Sequence, residues 1–232
     1  MTFEEAINYP RNREDAIRTI LIGGVLSLLG VLLVPVVIVL GYLMRALRLS
    51  IEGETEPPEF EEWGDLLVEG IKAIAIAIVY FLIPTIVFGV SVGGIALTAI
   101  ATGDVPAAAI ASSIAGFFLS FLLFLLAWYL LPAALANAAH EERLGAGFAL
   151  GQIRPVIFHG TYAMNWLLAL AIFVAASIVV GILGAVPPLG FVAGGFVFFY
   201  VDVVAFNLYG RAFAAAATGD ETADTPAGQP AA

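Results

Sequence analysis

The sequence contains no cysteine, two histidines (His140 and His159) and a single lysine, Lys72. Without thiols there is no disulfide, no thiolate metal site and no cysteine nucleophile. Two histidines leave little room for a histidine-based metal centre. Charge of either sign is scarce: 12% of the 232 residues are Asp, Glu, Lys or Arg and 61% are hydrophobic. Soluble chains run near 25% and roughly 45–50%. The charge present is acidic, with 19 Asp and Glu against 9 Lys and Arg and a formal net charge of −10. Such a surface repels nucleic acid and offers no polybasic patch for anionic headgroups. A carboxylate-rich, lysine-poor chain suits a cell interior of molar salt, where the screening length is about 3 Å. It points to a haloarchaeal, halophilic source.

What the sequence does have is long uncharged runs. Thr19 to Met44, Ala73 to Gly103, Val105 to Ala139 and, apart from His159, Pro155 to Val201 carry no charged side chain. Each run exceeds the roughly 20 apolar residues needed to cross a bilayer core of about 30 Å. The last is long enough for two crossings, with "AVPPLG" supplying the turn because adjacent prolines remove two amide donors. The expected fold is therefore all-α, a polytopic transmembrane bundle of about five spans with amphipathic interfacial helices. It has one membrane domain over 19–213, with spans near 20–44, 71–98, 107–137, 162–185 and 189–209. Residues 1–18 form an amphipathic segment capped by Thr2 and stopped at Pro10, with Phe3, Ala6 and Ile7 on one face. Residues 214–232 form a disordered acidic tail. The acids in "MTFEEAINYPRNRED" argue against a cleavable signal peptide, so the first run is expected to be a retained anchor in the cell membrane.

Five spans place the connectors 45–70 and 138–161 and the C-terminus on one side. That side has six basic residues against three on the other, which makes it cytoplasmic. An alternative bends the first run into a re-entrant hairpin at Gly30 to Pro35 and puts all nine basic residues on one side. Its arms of about 15 residues would reach only some 22 Å, so the straight span is preferred.

Between Glu52 and Glu69 lie eight acids and no base. Phe60, Trp63, Leu67, Ile71 and Ile74 recur at helical spacing with Glu61, Glu62, Asp65 and Glu69 on other faces, the pattern of an amphipathic helix feeding the second span. Trp63 and Phe60 are expected at headgroup level, as are Tyr42 with Arg45 and Tyr209 with Arg211, where "GYLMRAL" and "LYGRAF" leave the membrane. Those two motifs also echo one another, as in a pseudo-repeat around a shared site.

The candidate polar site within the membrane is Asp202, Asn137, His140 and Arg143. Asp202 is the one acid deep in an expected span, where a charge costs about 2.5–3.5 kcal/mol and demands a partner or a wet interior. A lock to Arg143, Arg154 or a tyrosine competes with a proton or cation role. "HEER" lacks the second helical histidine of a zinc protease, and no G-x-S-x-G or phosphate-binding loop occurs. No catalytic residue, metal or cofactor is therefore expected.

The block "INYPRNREDAIRTILIGG", the block "GYLMRALRLSIEGETEPPEFEEWGDLLVEGIKA" and the ending "AFNLYGRAF" resemble an uncharacterised family of polytopic membrane proteins. It is common in haloarchaea and known as a domain of unknown function, number four-zero-one-three. The resemblance covers nearly the whole chain. It implies a membrane architecture with an interfacial Trp63 segment, and carries no activity, substrate or catalytic residue. The expected function is a non-enzymatic helical-bundle scaffold or partner-binding protein whose partners are the bilayer, a second copy or another membrane protein. The alternative is a small transporter or permease component using Asp202.

Overall fold

In a computed structural model that describes residues 3–218, the chain is all-α, with no strand among those residues. Its helices are α1 Phe3–Asn8, α2 Ala16–Leu28, α3 Leu33–Glu52, α4 Trp63–Thr102, α5 Ala107–His140, α6 Leu150–Ile157, α7 Gly160–Leu183 and α8 Pro187–Thr218. Five of these, α3, α4, α5, α7 and α8, are long and apolar enough to cross a membrane. Thr2, the Phe3 side chain and the tail from 219 lie outside the described residues.

The first apolar run is not one straight helix over 20–44. It breaks after Leu28, passes through an extended Leu32 (φ −92°, ψ 131°) and restarts at Leu33. Gly30 lies in the break. Pro35 falls in the first turn of α3, where an amide would have no intrahelical acceptor and its absence costs nothing. The two arms run in opposite directions. Gly23 and Gly24 face the rings of Phe199 and Phe196, and Leu28 faces Gly195, so α2 runs antiparallel to α8. Tyr42 meets Phe199 and Ser50 meets Asn207, so α3 runs parallel to α8. The first run thus bends near Gly30, where the alternative put its bend, and the tip is open, with Val31 91% and Leu33 83% exposed.

Three glycines let helices touch backbone to backbone. A Cβ on Gly41 would overlap the Leu66 carbonyl, one on Gly70 the Val37 carbonyl, and one on Gly210 the Leu47 carbonyl and Ser50. These contacts lock α3 against α4 and α8. The buried face of early α4 is accordingly Leu66, Gly70, Ala73 and Ile76, whereas Trp63 and Ile71 are exposed. Of the face expected from spacing, Phe60 is nonetheless buried and Leu67 packs part-buried against the core. The connector expected over 45–70 also divides otherwise: α3 continues to Glu52, a non-helical loop follows, and α4 starts at Trp63 as one 40-residue helix. At the other end, α8 runs on to Thr218, past the expected boundary near 209.

Gly70→Ala is expected to lower thermal stability in detergent by about 1–3 kcal/mol, the usual cost of overpacking. Gly64→Ala, in the same helix with open space around its Cβ, should be neutral or stabilising by up to about 1 kcal/mol. Equal melting shifts for the two would remove the close-packing account.

Candidate functional site

The four expected site residues do not converge. Asn137 is buried, and its side-chain amide donates to the Ala146 carbonyl (2.8 Å) and to Gln152 Oε1 (2.9 Å), fastening the turn at Leu144–Phe148 and α6 back onto α5. His140 is exposed, with its ring 5.9 Å from that of Phe213. Arg143 is exposed and pairs with Glu141 (3.2 Å). The carboxyl of Asp202, part-exposed on α8, has no hydrogen bond or ion pair among the described residues. No group of three or more His, Asp or Glu among those residues could hold a metal ion.

Charged side chains do assemble around the end of α3. Arg45 donates to the Glu61 carbonyl (3.3 Å) and to the Glu62 carboxylate (3.2 Å). One turn on, Arg48 bridges Glu69 (3.3 Å) and Glu142 (3.4 Å). Glu62 and Glu142 both adopt positive φ, 52° and 53°, a conformation that L side chains reach at a cost of about 1–2 kcal/mol. Each arginine thus holds a connector at its least favourable residue, where α4 begins and α5 ends. Between them lies a small cavity of about 80 Å³ lined by Arg48, Glu69, Lys72 and Glu142.

The N-terminal segment closes over the same end. Arg13 pairs with Glu59 and Asp15 and donates to the Pro57 carbonyl, Asn12 donates to the Thr55 carbonyl, and the Tyr9 hydroxyl donates to the Glu56 carbonyl. Burial pushes the Tyr9 hydroxyl above its ordinary pKa, with Ser50, Arg211 and Asn207 opposing the shift. Beneath it, the Asn207 amide donates to Ser50 Oγ (2.8 Å), joining α8 to α3. Glu56, Glu59, Glu62 and Glu69 of the acidic stretch are therefore counter-ions of Arg13, Arg45 and Arg48, a role spacing alone did not disclose.

Of the expected headgroup anchors, Trp63 is exposed, but Tyr42, Phe60 and Tyr209 are buried. Phe60 leaves its acidic loop to stack on Tyr42 at 4.2 Å, with Phe199 beside both. Arg45 and Arg211 hold backbone carbonyls of the loop, Glu61 and Glu54. The two Tyr-Arg motifs do lie on parallel, adjacent helices; their tyrosines fall in separate clusters of the core, while Met44 and Leu47 of the first share the cluster of Tyr209.

Tyrosines and a tryptophan stitch the remaining helices. Tyr162 donates to the Tyr129 carbonyl (2.6 Å), Tyr129 to Ile157 (2.6 Å), Tyr80 to Gly147 (2.9 Å) and Tyr200 to Ile7 (2.5 Å). Pro132, inside α5, has no amide for the Trp128 carbonyl four residues before it. Trp166 Nε1 of α7 donates to that carbonyl instead (3.4 Å). Such repair by a neighbouring helix is how apolar bundles tolerate proline. The residues that hold the connectors were legible only as generic aromatics.

A groove of about 300 Å³ opens between α4 and α5, with Ile83, Pro84, Leu123 and Leu126 on its walls and Phe148 and Leu150 closing one end.

A family profile described as "Protein of unknown function (DUF4013)" matches residues 25–185. No curated protein and no solved structure matches the chain.

Trp166→Phe is expected to cost about 0.5–1.5 kcal/mol of stability, one net hydrogen bond. In a Pro132→Ala background, where the Trp128 carbonyl regains a helix donor, the same change should cost less. A double-mutant cycle on melting in detergent measures the difference, and additive effects would discard the repair.

Proposed function

The chain belongs to this DUF4013 family of unknown function, and we propose that it is a multi-pass integral membrane protein acting as a non-enzymatic scaffold. In this reading α4, α5, α7 and α8 cross the bilayer, and α2 and α3 form a re-entrant hairpin that enters and leaves by the same face. One observation carries it, the segregation of charge. Arg11, Arg13, Arg18, Arg45, Arg48, Lys72, Arg143, Arg154 and Arg211 all belong to the N-terminal segment, the end of α3, the start of α4, the α5–α7 connector or the end of α8. The turns at 29–32, 103–106 and 184–186 have no basic residue. By the excess of positive charge on cytoplasmic loops, the charged end faces the cytoplasm. Leu33 to Met44, the apolar arm of α3, is 12 residues, or about 18 Å. That reaches only part-way through a core of about 30 Å.

Support for a scaffold comes from the polar side chains inside the bundle. Asn137, Asn207, Tyr129, Tyr162 and Trp166 each hold one segment to another, which is what a fixed platform for partners requires. The acidic, arginine-tied end is the surface such partners would meet.

The cysteine-free sequence makes the topology directly testable with single substitutions. In intact cells a membrane-impermeant maleimide should label Asp104→Cys, while Glu14→Cys and Glu54→Cys should react only after permeabilisation. A straight first span would instead expose Glu14→Cys together with Asp104→Cys. Release of the protein by alkaline carbonate would overturn the membrane reading altogether.

A second reading, a small transporter or permease component, is favoured by the Asp202 carboxyl, which has no hydrogen bond or ion pair among the described residues. It predicts salt- or pH-dependent ion flux in proteoliposomes that Asp202→Asn abolishes without loss of fold. A scaffold predicts no flux in either protein.

A further inference from the structure

The groove between α4 and α5 is a built feature. Farther along the hairpin the two helices close on each other through Phe88 and Phe117 (ring centroids 6.2 Å) and through Ser91 against Gly116. Nearer the charged end, with Pro84 of α4 and the small Ala127 of α5 both in the lining, they leave an apolar space of about 300 Å³. That lies at the small end of the roughly 300–1,000 Å³ of small-molecule sites. The end toward the charged face is fixed. Tyr80 stacks on Phe148 at 6.1 Å and its hydroxyl holds the Gly147 carbonyl at 2.9 Å, so Phe148 and Leu150 form a rigid rim.

Beyond the rim stands a cation with no partner. Arg154 follows Leu150 by one turn on the same face of α6 and is exposed, and its guanidinium has no ion pair or hydrogen bond among the described residues. The acids nearest in sequence are engaged elsewhere, Glu141 with Arg143 and Glu142 with Arg48. Trp128, beside Ala127 and half exposed, marks the depth at which indole rings meet lipid headgroups.

We propose that this groove holds one acyl chain of an anionic membrane phospholipid whose phosphate pairs with Arg154. The proposal rests on the membrane reading above. An apolar slot rimmed by Leu150, with a free guanidinium one helical turn farther along α6, matches the two halves of such a lipid, and guanidinium binds phosphate oxygens in a bidentate, charge-assisted way. With no polybasic patch on the chain, selection comes from this single pairing, and the slot fixes where the headgroup stands. The lipid would thereby brace α6 and the α5–α7 connector against the α4–α5 hairpin.

The test uses the full chain extracted from membranes in mild detergent, with retained lipid identified by mass spectrometry and melting followed in mixed micelles. Phosphatidylglycerol should be retained and should raise the melting temperature more than phosphatidylcholine of the same chains. Arg154→Gln should keep binding but lose the headgroup preference by about tenfold, the effect of one charge-assisted hydrogen bond. Leu126→Trp, which fills the groove from a half-exposed position, should lose retention of both lipids. Arg143→Gln, at an exposed arginine outside the groove, should change neither and serves as the folding and charge control. A preference that survives Arg154→Gln, or retention unchanged in Leu126→Trp, overturns the site, as does recovery of a protein crosslinked at Leu126 in place of lipid. Carbonate release from membranes reports failure of the membrane reading separately from all of these.

Discussion

Backbone contact at Gly41, Gly70 and Gly210 is the constraint on which the rest of the structure depends. With a side chain at any of the three, α3 would stand off from α4 or α8 by the thickness of a methyl group or more. Without them it packs among α2, α4, α5 and α8. Its central position decides where its two ends go. The start of α3 is left at the open hairpin tip, and the end of α3 is carried to the junction of every polar connector.

That junction explains the composition of the loop after α3. The five acids of that loop would repel one another in isolation, yet here the arginines of α3 and the N-terminal segment pair with Glu56, Glu59 and Glu62 and draw it inward. Ion pairs that keep access to solvent contribute little singly, about 0–1 kcal/mol. Their effect is positional, because they hold Glu62 and Glu142 in conformations that start and end long helices. Phe60 and Tyr42 supply the apolar part of the same junction by stacking beneath the charges.

The candidate polar set illustrates how a bundle of this type uses its few polar side chains. Asn137 closes a connector, His140 and Arg143 stand at the surface, and the Asp202 carboxyl on α8 has no hydrogen bond or ion pair among the described residues. The tyrosines act where no charge could, placing a ring in the apolar layer and a hydroxyl on another segment's carbonyl. Together with Trp166 at the carbonyl left open by Pro132, they fix the α5–α7 connector that rims the apolar groove. The proposed scaffold and the proposed lipid slot both rest on this one set of pins.

Much of this architecture was legible in the sequence. Run length and the scarcity of charge determined an all-α bundle with five helices long and apolar enough to cross a bilayer, since an uncharged stretch of that length satisfies its own backbone only as helix. Pro10 ended α1 and "AVPP" turned α7 into α8 for reasons internal to the chain. The path of the first run was not determined so, because its apolar residues satisfy a straight helix and a hairpin equally well. Only Gly23 and Gly24 meeting the rings of Phe199 and Phe196, some 175 residues away, made the hairpin the packed solution. The same holds for the buried face of α4 and the partners of the acidic loop: helical spacing says which side chains share a face, and only the neighbour that arrives decides which face is inside.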